Sequence, residues 1–217
     1  MKGLLIKDLE LLKVQKQFFF MLIVVMASFT FFYEDTSFIL FFLTFSVSLL
    51  SVTTISYDEM DNGSAFLFTL PVSRRLYVVE KYVLAVLLGG GAWVFSTLWL
   101  CAGGLIKGTT AVPEQLLSAV LLLPLLLCVQ AFMIPFQLKF GGERARIAII
   151  IAIALLTCAG MAAVKVAEAL GADIENVPDR LPAEGMGAAT AFAFAAAVLL
   201  LLLSVRIGIS IMEKKEF

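Results

Sequence analysis

The sequence predicts an all-α integral membrane protein: six transmembrane helices, an N-terminal amphipathic interface helix and a short cytoplasmic helix. The chain of 217 residues is 61% hydrophobic and 15% charged, with a mean hydropathy of +1.02. Soluble domains are roughly 45–50% apolar and about 25% charged. Apolar stretches of about 20 residues, the length of one bilayer crossing, recur along the chain. Basic residues also concentrate in alternate connecting segments, as in multi-pass membrane proteins.

Residues 1–16 are predicted to form an amphipathic helix in the cytoplasmic interface. At about 100° per residue, Leu5, Leu9 and Leu12 form one apolar stripe, and the charged side chains lie opposite. Asp8 intrudes on the apolar side, so the pattern is imperfect. The alternative is a frayed basic tail that only sets the topology.

Six spans follow this helix. Within them, the glycines at 89–91 allow either close approach of a neighbouring helix or bending. Gln130 is a candidate lining residue of a transport pathway, with interhelical hydrogen bonding as the alternative. The predicted spans are residues 17–33, 37–57, 79–106, 115–138, 146–170 and 187–210.

The distribution of lysine and arginine predicts the orientation. With the N-terminus in the cytoplasm, all but three of the 16 basic residues fall on the inside. The three on the outside are Lys107, Lys165 and Arg180. Both termini are therefore expected to be cytoplasmic, with an outer loop at 171–186. A cleavable signal peptide is not expected, because lysines are spread through the N-terminal segment and no small-residue cleavage site follows the first apolar run.

Composition excludes several chemistries. The chain has no histidine, which rules out a Ser-His-Asp arrangement and an HExxH zinc site. Cys101, Cys128 and Cys158 lie far apart without CxxC spacing, which is typical of packing side chains. No GxxxxGK[ST] motif occurs, and the net charge of −1 gives no reason to expect nucleic acid. We therefore predict no catalytic residue and no metal site. The centres of the spans carry no ionisable side chain, which argues against an ion-coupled carrier.

The cytoplasmic loop at 58–75 is the most informative segment. An acidic, turn-prone stretch is followed by a short apolar run that Pro71 ends, which predicts a helix near 64–70. Ser73 is a plausible N-cap for the third span. Apolar side chains in a cytoplasmic loop usually mark an interaction surface. The alternative is that they dip into the lipid headgroup region.

This loop carries a family resemblance. The run YDEMDNGSAFLFTLPVSRRLYVVEKY resembles the first cytoplasmic loop of ABC-2 type transporter permeases, and in particular the small six-span branch that includes the phenol-soluble-modulin exporter permeases. The Leu-Pro-x-Ser-Arg element of that branch matches residues 70–74, and its Lys-Tyr pair matches Lys81 and Tyr82. The second cytoplasmic loop, 139–146, with the residues from Pro135 onward, is similar to the Pro…Lys-Phe-Gly…Arg segment of the family.

The resemblance implies an ABC-2, type V exporter-like fold in the bacterial cell membrane. It implies a permease subunit of an ATP-driven exporter of amphipathic peptides, toxins or antimicrobial peptides. Two copies of a separate ATP-binding subunit would hold ATP and magnesium, and a second permease chain, identical or different, would complete the pathway. The chain itself would be neither an enzyme nor a cofactor carrier. The alternatives are an ion-coupled secondary carrier and a non-transporting membrane anchor or sensor.

The resemblance also assigns roles to residues. The short helix would be the coupling helix, which seats its apolar side chains in a groove on the ATPase within a polar rim. A second, more electrostatic contact would come from Lys139, Glu143, Arg144 and Arg146, of which the two arginines serve topology equally well. The ATPase-coupling residues would be Glu59, Asp61, Phe66, Leu67, Phe68, Leu70, Pro71, Arg74 and Arg75.

Overall fold

The computed structural model describes residues 1–32, 37–60, 63–107, 112–141, 144, 147, 150 and 183–215. Within these ranges the chain is helical apart from short turns. We number the helices in chain order: α1 Lys2–Val14, α2 Lys16–Phe32, α3 Ser37–Glu59, α4 Gly63–Leu67, α5 Arg74–Lys107, α6 Val112–Phe140 and α7 Ala183–Lys214.

Four of the described helices, α3, α5, α6 and α7, are long and apolar enough to cross a membrane. The pair α1 and α2, bent by 64° at their junction, supplies a fifth crossing if it is counted as one span. The predicted span at 146–170 lies outside the described residues, apart from residues 147 and 150, and so does most of the predicted loop at 171–186. The count of six spans therefore stays a prediction.

The third predicted span begins earlier than its apolar run. The hydroxyl oxygen of Ser73 accepts a hydrogen bond of 3.2 Å from the Leu76 backbone N–H, which confirms Ser73 as the N-cap. Helix α5 consequently starts at Arg74 rather than at residue 79. Its first turns carry charged residues that the prediction assigned to the loop or to the edge of the span.

Polar side chains join the spans to one another. Thr44 on α3 bonds Ser96 on α5 at 3.2 Å, and Tyr82 on α5 bonds Ser204 on α7 at 2.6 Å. Trp93 Nε1 on α5 donates to a carbonyl oxygen of α6 at 2.7 Å. Such interhelical bonds stabilise bundles in lipid, where apolar burial gives little driving force between helices.

One apolar cluster joins the ends of most helices. Leu4 of α1, Ile55 of α3, Tyr77 of α5, Leu138 of α6 and Met212 of α7 are all buried in it. We call this end of the bundle the loop end, because the segment 58–75 lies here as well. Both described termini therefore lie on the same side as this loop, and the assignment of that side to the cytoplasm stays a prediction.

The buried face of α1 differs from the predicted stripe. Leu4, Asp8 and Leu12, which are spaced four residues apart, are buried, whereas Leu9 is exposed. The predicted stripe through Leu5, Leu9 and Leu12 is confirmed at Leu12 but wrong at Leu9, because the prediction treated Asp8 as an intruder. The carboxylate of Asp8 instead has a charged partner inside the bundle, which allows it to lie on the packed face.

Candidate functional site

The short helix α4 divides the predicted apolar anchors into two groups. Leu67 is only 8% exposed and belongs to the cluster at the loop end, against which Phe68 also packs. The Phe68 ring meets the Tyr77 ring edge-on at a centroid distance of 5.7 Å. The guanidinium of Arg74 lies 5.9 Å from the Phe68 ring centroid, a cation–π distance. These two apolar residues therefore fasten the segment to its own bundle.

The other two anchors point away from the bundle. Phe66 is 70% exposed and Leu70 is 46% exposed. Between them, Thr69 donates its hydroxyl to the carbonyl oxygen of Phe66 at 2.7 Å, which keeps the chain turning after α4 ends. The surface left for a partner thus consists of one aromatic and one aliphatic side chain on a segment fixed from beneath.

A close approach of the backbone sets the start of α4. A Cβ atom at Gly63 would lie 2.9 Å from the carbonyl oxygen of Asp58, a distance that side chains do not tolerate. The same carbonyl oxygen accepts a hydrogen bond of 2.9 Å from the Ser64 hydroxyl. Gly63 therefore lets the chain fold back tightly against the end of α3, and Ser64 ties it there.

The predicted rim residues bind the C-terminal end of α7. Arg74 donates to the carbonyl oxygens of Met212 and Glu213 at 3.1 and 2.8 Å, and so satisfies acceptors that a helix end leaves open. Arg75 pairs with the Glu213 carboxylate at 2.6 Å. Glu59 pairs with Lys215 at 2.7 Å. These charged residues bind the C-terminal end of the described chain to the loop, a role that the sequence did not predict.

A polar pocket of about 260 Å³ lies beside α4 and joins the two predicted cytoplasmic contacts. Lys139, from the second contact, shares it with Glu59 from the first. Arg144 is described as an exposed helical residue, whereas Asp61, Glu143 and Arg146 lie outside the described residues. The pocket is lined by Glu59, Ser64, Ala65, Lys139, Phe140, Gly141 and Lys215.

A buried cluster of charges lies beneath the loop. Lys81 forms ion pairs with Asp8 and, at 2.7 Å, with Asp58, and it donates a hydrogen bond of 3.1 Å to the Thr54 hydroxyl. Lys7 pairs with Asp58 and approaches Asp8 at 3.0 Å. The Asp8 and Lys81 side chains are fully buried. We refer to Lys7, Asp8, Asp58 and Lys81 as the charge cluster.

Two further side chains, Tyr77 and Glu80, lie beside the charge cluster. The Tyr77 hydroxyl donates to the Asp58 carboxylate at 3.1 Å. Glu80 is buried beside the cluster, 4.0 Å from Lys81, and neither of its carboxylate oxygens has a hydrogen-bond partner. Partial burial lowers the pKa of Lys7, but the hydrogen bond and charge of Asp58, together with the charge of Asp8, more than offset this and raise that pKa above its ordinary value. Lys7 is thus held in its charged form.

Sequence reasoning did not identify the charge cluster. A signal was nevertheless present: Asp8 lies between Leu4 and Leu12 on one helical face, and a charge on a buried face requires a partner of opposite sign. The partner could not be named, because Lys81 lies 73 residues further along the chain. In the described part of the chain, no group of three or more histidine, cysteine or acidic side chains could hold a metal ion.

Gln130 is enclosed between helices. It is 3% exposed, and its amide nitrogen donates to the Ser48 hydroxyl at 2.9 Å and to the Ala85 carbonyl oxygen at 2.8 Å. The side chain therefore joins α6 to α3 and α5, which is the interhelical alternative considered for it. Its role in a transport pathway stays a prediction.

Comparison with known families identifies the class of protein to which this site belongs. A family model described as ABC-2 family transporter protein matches residues 3–213, which is nearly the whole chain. The chain belongs to the ABC-2 transporter family. No curated protein and no solved structure matches it. The resemblance to ABC-2 permeases is thereby confirmed, whereas the closer likeness to phenol-soluble-modulin exporter permeases stays a prediction.

Membership fixes the broad function. An ABC-2 permease is a multi-pass component of membrane transport, works with an ABC ATP-binding partner and is not itself catalytic. The four described helices that are long enough to cross a membrane agree with this placement.

Proposed function

We propose that this ABC-2 permease is the transmembrane subunit of an ATP-driven exporter of amphipathic peptides in the bacterial cell membrane. Two such chains, or this chain and a related one, would enclose the pathway. Two copies of an ATP-binding subunit would dock at the loop end, which faces the cytoplasm. ATP-driven closure of those subunits would move α4 and open the path outward.

The exposed pair Phe66 and Leu70 carries this proposal. Both side chains lie in the connecting segment between α3 and α5. Because this segment is not part of a membrane span, insertion into lipid does not explain why these exposed residues are apolar. Exposed aromatic and aliphatic side chains on a short helical turn are suited to a groove on a partner. Because Leu67 and Phe68 hold the segment from beneath, little conformational freedom is lost when the outer pair binds.

Charged residues belong to the same end of the bundle as this pair. Arg75 remains largely exposed although it pairs with Glu213, and Lys139 reaches the neighbouring polar pocket. An apolar centre within a charged, solvent-accessible rim is the usual anatomy of a protein interface. The arrangement supports an ATPase contact in which Phe66 and Leu70 are the anchors and the charges set orientation.

A second feature supports an amphipathic cargo. An open groove of about 600 Å³ runs between α6 and α7. Its walls are mostly apolar, with Phe132, Phe136 and Leu203 among them, and Lys139 is the one charged side chain among the described residues that line it. A surface of this kind accommodates the apolar face of a peptide.

Co-purification with the ATP-binding subunit tests the proposal. We expect Phe66→Asp to abolish recovery of the ATP-binding subunit, because a carboxylate in an apolar groove is desolvated without a partner. Phe66→Leu is the matched control, since it keeps an apolar side chain at the same position, and it should retain the complex. Phe68→Asp is a poorer test, because Phe68 packs inside the permease.

Normal complex formation and normal stimulation of ATP hydrolysis by the Phe66→Asp variant would contradict the proposed contact. Each variant should first elute as a single species from size-exclusion chromatography in detergent, so that loss of binding is separated from misfolding.

A further inference from the structure

We propose that α1 is a positioning element, clamped by Lys7 and Asp8 onto Asp58 and Lys81, and that this clamp holds the loop in the orientation that presents Phe66 and Leu70. The inference rests on the proposed function, because it assigns α1 a part in forming the ATPase contact.

Each charge that α1 contributes to the cluster lies opposite a charge of the other sign on another helix. α1 contributes adjacent residues of opposite sign, and each pairs with the opposite charge on a different helix: Lys7 with Asp58 of α3, and Asp8 with Lys81 of α5. Asp58 and Lys81 also pair with each other at 2.7 Å. The bundle therefore keeps an internal ion pair without α1, and α1 adds a second, matching pair on top of it.

This clamp is needed because α1 is short. It has 13 residues, a length at which an isolated helix is marginal in water. A junction bent by 64° separates it from α2. Its described packing is against α3 and α5, through Leu4, Leu12 and the buried charges. Without the charges, Leu4 and Leu12 would remain as the buried apolar side chains of α1.

The clamp reaches the exposed pair through direct contacts. The carboxylate of Asp58 binds Lys7 and Tyr77, and its carbonyl oxygen binds Ser64 of α4. The Tyr77 ring packs against Phe68. Leu4 of α1 is buried in the same cluster as Leu67. α1 thus supports both the polar start and the apolar underside of the segment that carries Phe66.

A matched pair of double variants tests the clamp. Lys7→Met with Asp8→Asn removes one charge of each sign from α1 and leaves the Asp58–Lys81 pair in place. Glu10→Gln with Lys13→Met removes one charge of each sign from the exposed pair on the same helix, whose Nζ and Oε1 atoms lie 2.5 Å apart. Both double variants therefore have the same net charge and the same number of charged residues, and they differ only in which pair of charges is removed.

The first measurement is the accessibility of position 4. Leu4→Cys is introduced in a background in which Cys101, Cys128 and Cys158 are replaced by alanine, and its labelling by a hydrophilic maleimide is followed. Leu4 is 7% exposed, so labelling requires α1 to undock. We expect the clamp variant to raise the labelling rate by more than about tenfold, because buried ion pairs are costly to break. The control variant should change it by less than about twofold, because exposed pairs contribute little.

The second measurement is binding of the ATP-binding subunit by the full-length chain. We expect the clamp variant to reduce co-purification by at least about fivefold and the control variant to leave it unchanged, since a wrongly placed apolar pair loses its preorganisation. If the clamp variant aggregates, Lys7→Met alone gives an intermediate effect, because the Asp8–Lys81 and Asp58–Lys81 pairs remain.

The outcomes separate the two ideas. Unchanged labelling in the clamp variant would overturn the clamp, whatever the binding result. Raised labelling with unchanged binding would overturn the positioning role. Failure of the unmodified chain to bind any ATP-binding subunit would overturn the proposed function and with it the positioning role, while the labelling experiment would still decide whether α1 is clamped.

Discussion

At the scale of single residues, the charge cluster is where we expect a substitution to destabilise the chain strongly. Lys81 is the central cation, bonded to Asp8, Asp58 and Thr54 with its side chain fully buried. Buried ion pairs gain little over apolar packing, but the loss of one partner leaves an uncompensated charge. The main contribution of Lys81 to stability is therefore that it neutralises the buried carboxylates of Asp8 and Asp58, which would otherwise be uncompensated.

Replacement of Lys81 by methionine should destabilise the chain by about 3 kcal/mol, because Asp8 and Asp58 would be left buried with one compensating cation. The fluorescence of Trp93 and Trp99 during thermal unfolding in detergent measures this loss. Lys139→Met is the control, since Lys139 is exposed and its ammonium group lies over the adjacent Phe140 ring, 5.2 Å from the centroid, rather than in a buried ion pair. Equal melting temperatures for the two variants would show that the cluster does not hold the loop end together.

At the scale of helices, the glycine run of α5 has one buried member. A Cβ at Gly89 would lie 2.6 Å from the Gln130 amide nitrogen and 3.2 Å from Leu126, whereas a Cβ at Gly90 or Gly91 meets nothing within 4 Å. The sequence left close approach and bending open for all three residues. Close approach is what the structure shows, and only at Gly89.

This difference gives a paired prediction. Gly89→Ala should displace Gln130 from its bonds to Ser48 and Ala85 and lower stability by roughly 1–3 kcal/mol, the cost of leaving buried polar groups unsatisfied. Gly90→Ala adds the same methyl group one residue away in open space, where alanine favours the helix over glycine by about 1 kcal/mol. Thermal unfolding of the two variants side by side should therefore move in opposite directions. Equal shifts would contradict the placement of α5 against α6.

Local patterns predicted much of the helical architecture, because local chemistry sets it. The N-cap of α5 at Ser73 and the short helix before Pro71 follow from residues within one or two turns. Which side of each helix is buried does not follow from such local residues. Leu67 faces inward and Phe66 outward because of where Tyr77 and Met212 lie, and those positions depend on contacts between distant parts of the chain.

The same limit applies to the candidate site. The sequence placed Arg74, Arg75 and Glu59 at an interface, since charges beside an exposed apolar run usually form a rim. Their internal partners, the end of α7 and Lys215, are more than a hundred residues away. Local sequence patterns do not predict pairs at this separation, so the contacts between the C-terminal end of the chain and the loop could be recognised only from the structure.

At the scale of the whole molecule, the loop end gathers the groups that the apolar spans exclude. The charge cluster, the polar pocket, the C-terminal end of the described chain and the exposed pair Phe66 and Leu70 all lie there. An ABC-2 permease is not itself catalytic and works with an ABC ATP-binding partner, so the proposed mechanism requires a surface at which that partner contacts the permease. A charged, internally bonded end that bears an exposed apolar pair is suited to that contact.

Transport by reconstituted protein tests this account most directly. The chain and its ATP-binding subunit are purified together and placed in liposomes, and uptake of a fluorescent amphipathic helical peptide is followed with ATP added outside. The account predicts uptake that requires ATP, persists when ionophores collapse the proton and sodium gradients, and is lost with Phe66→Asp but not with Phe66→Leu. Uptake that continues without ATP and stops with the ionophores would contradict it and would identify an ion-coupled carrier instead.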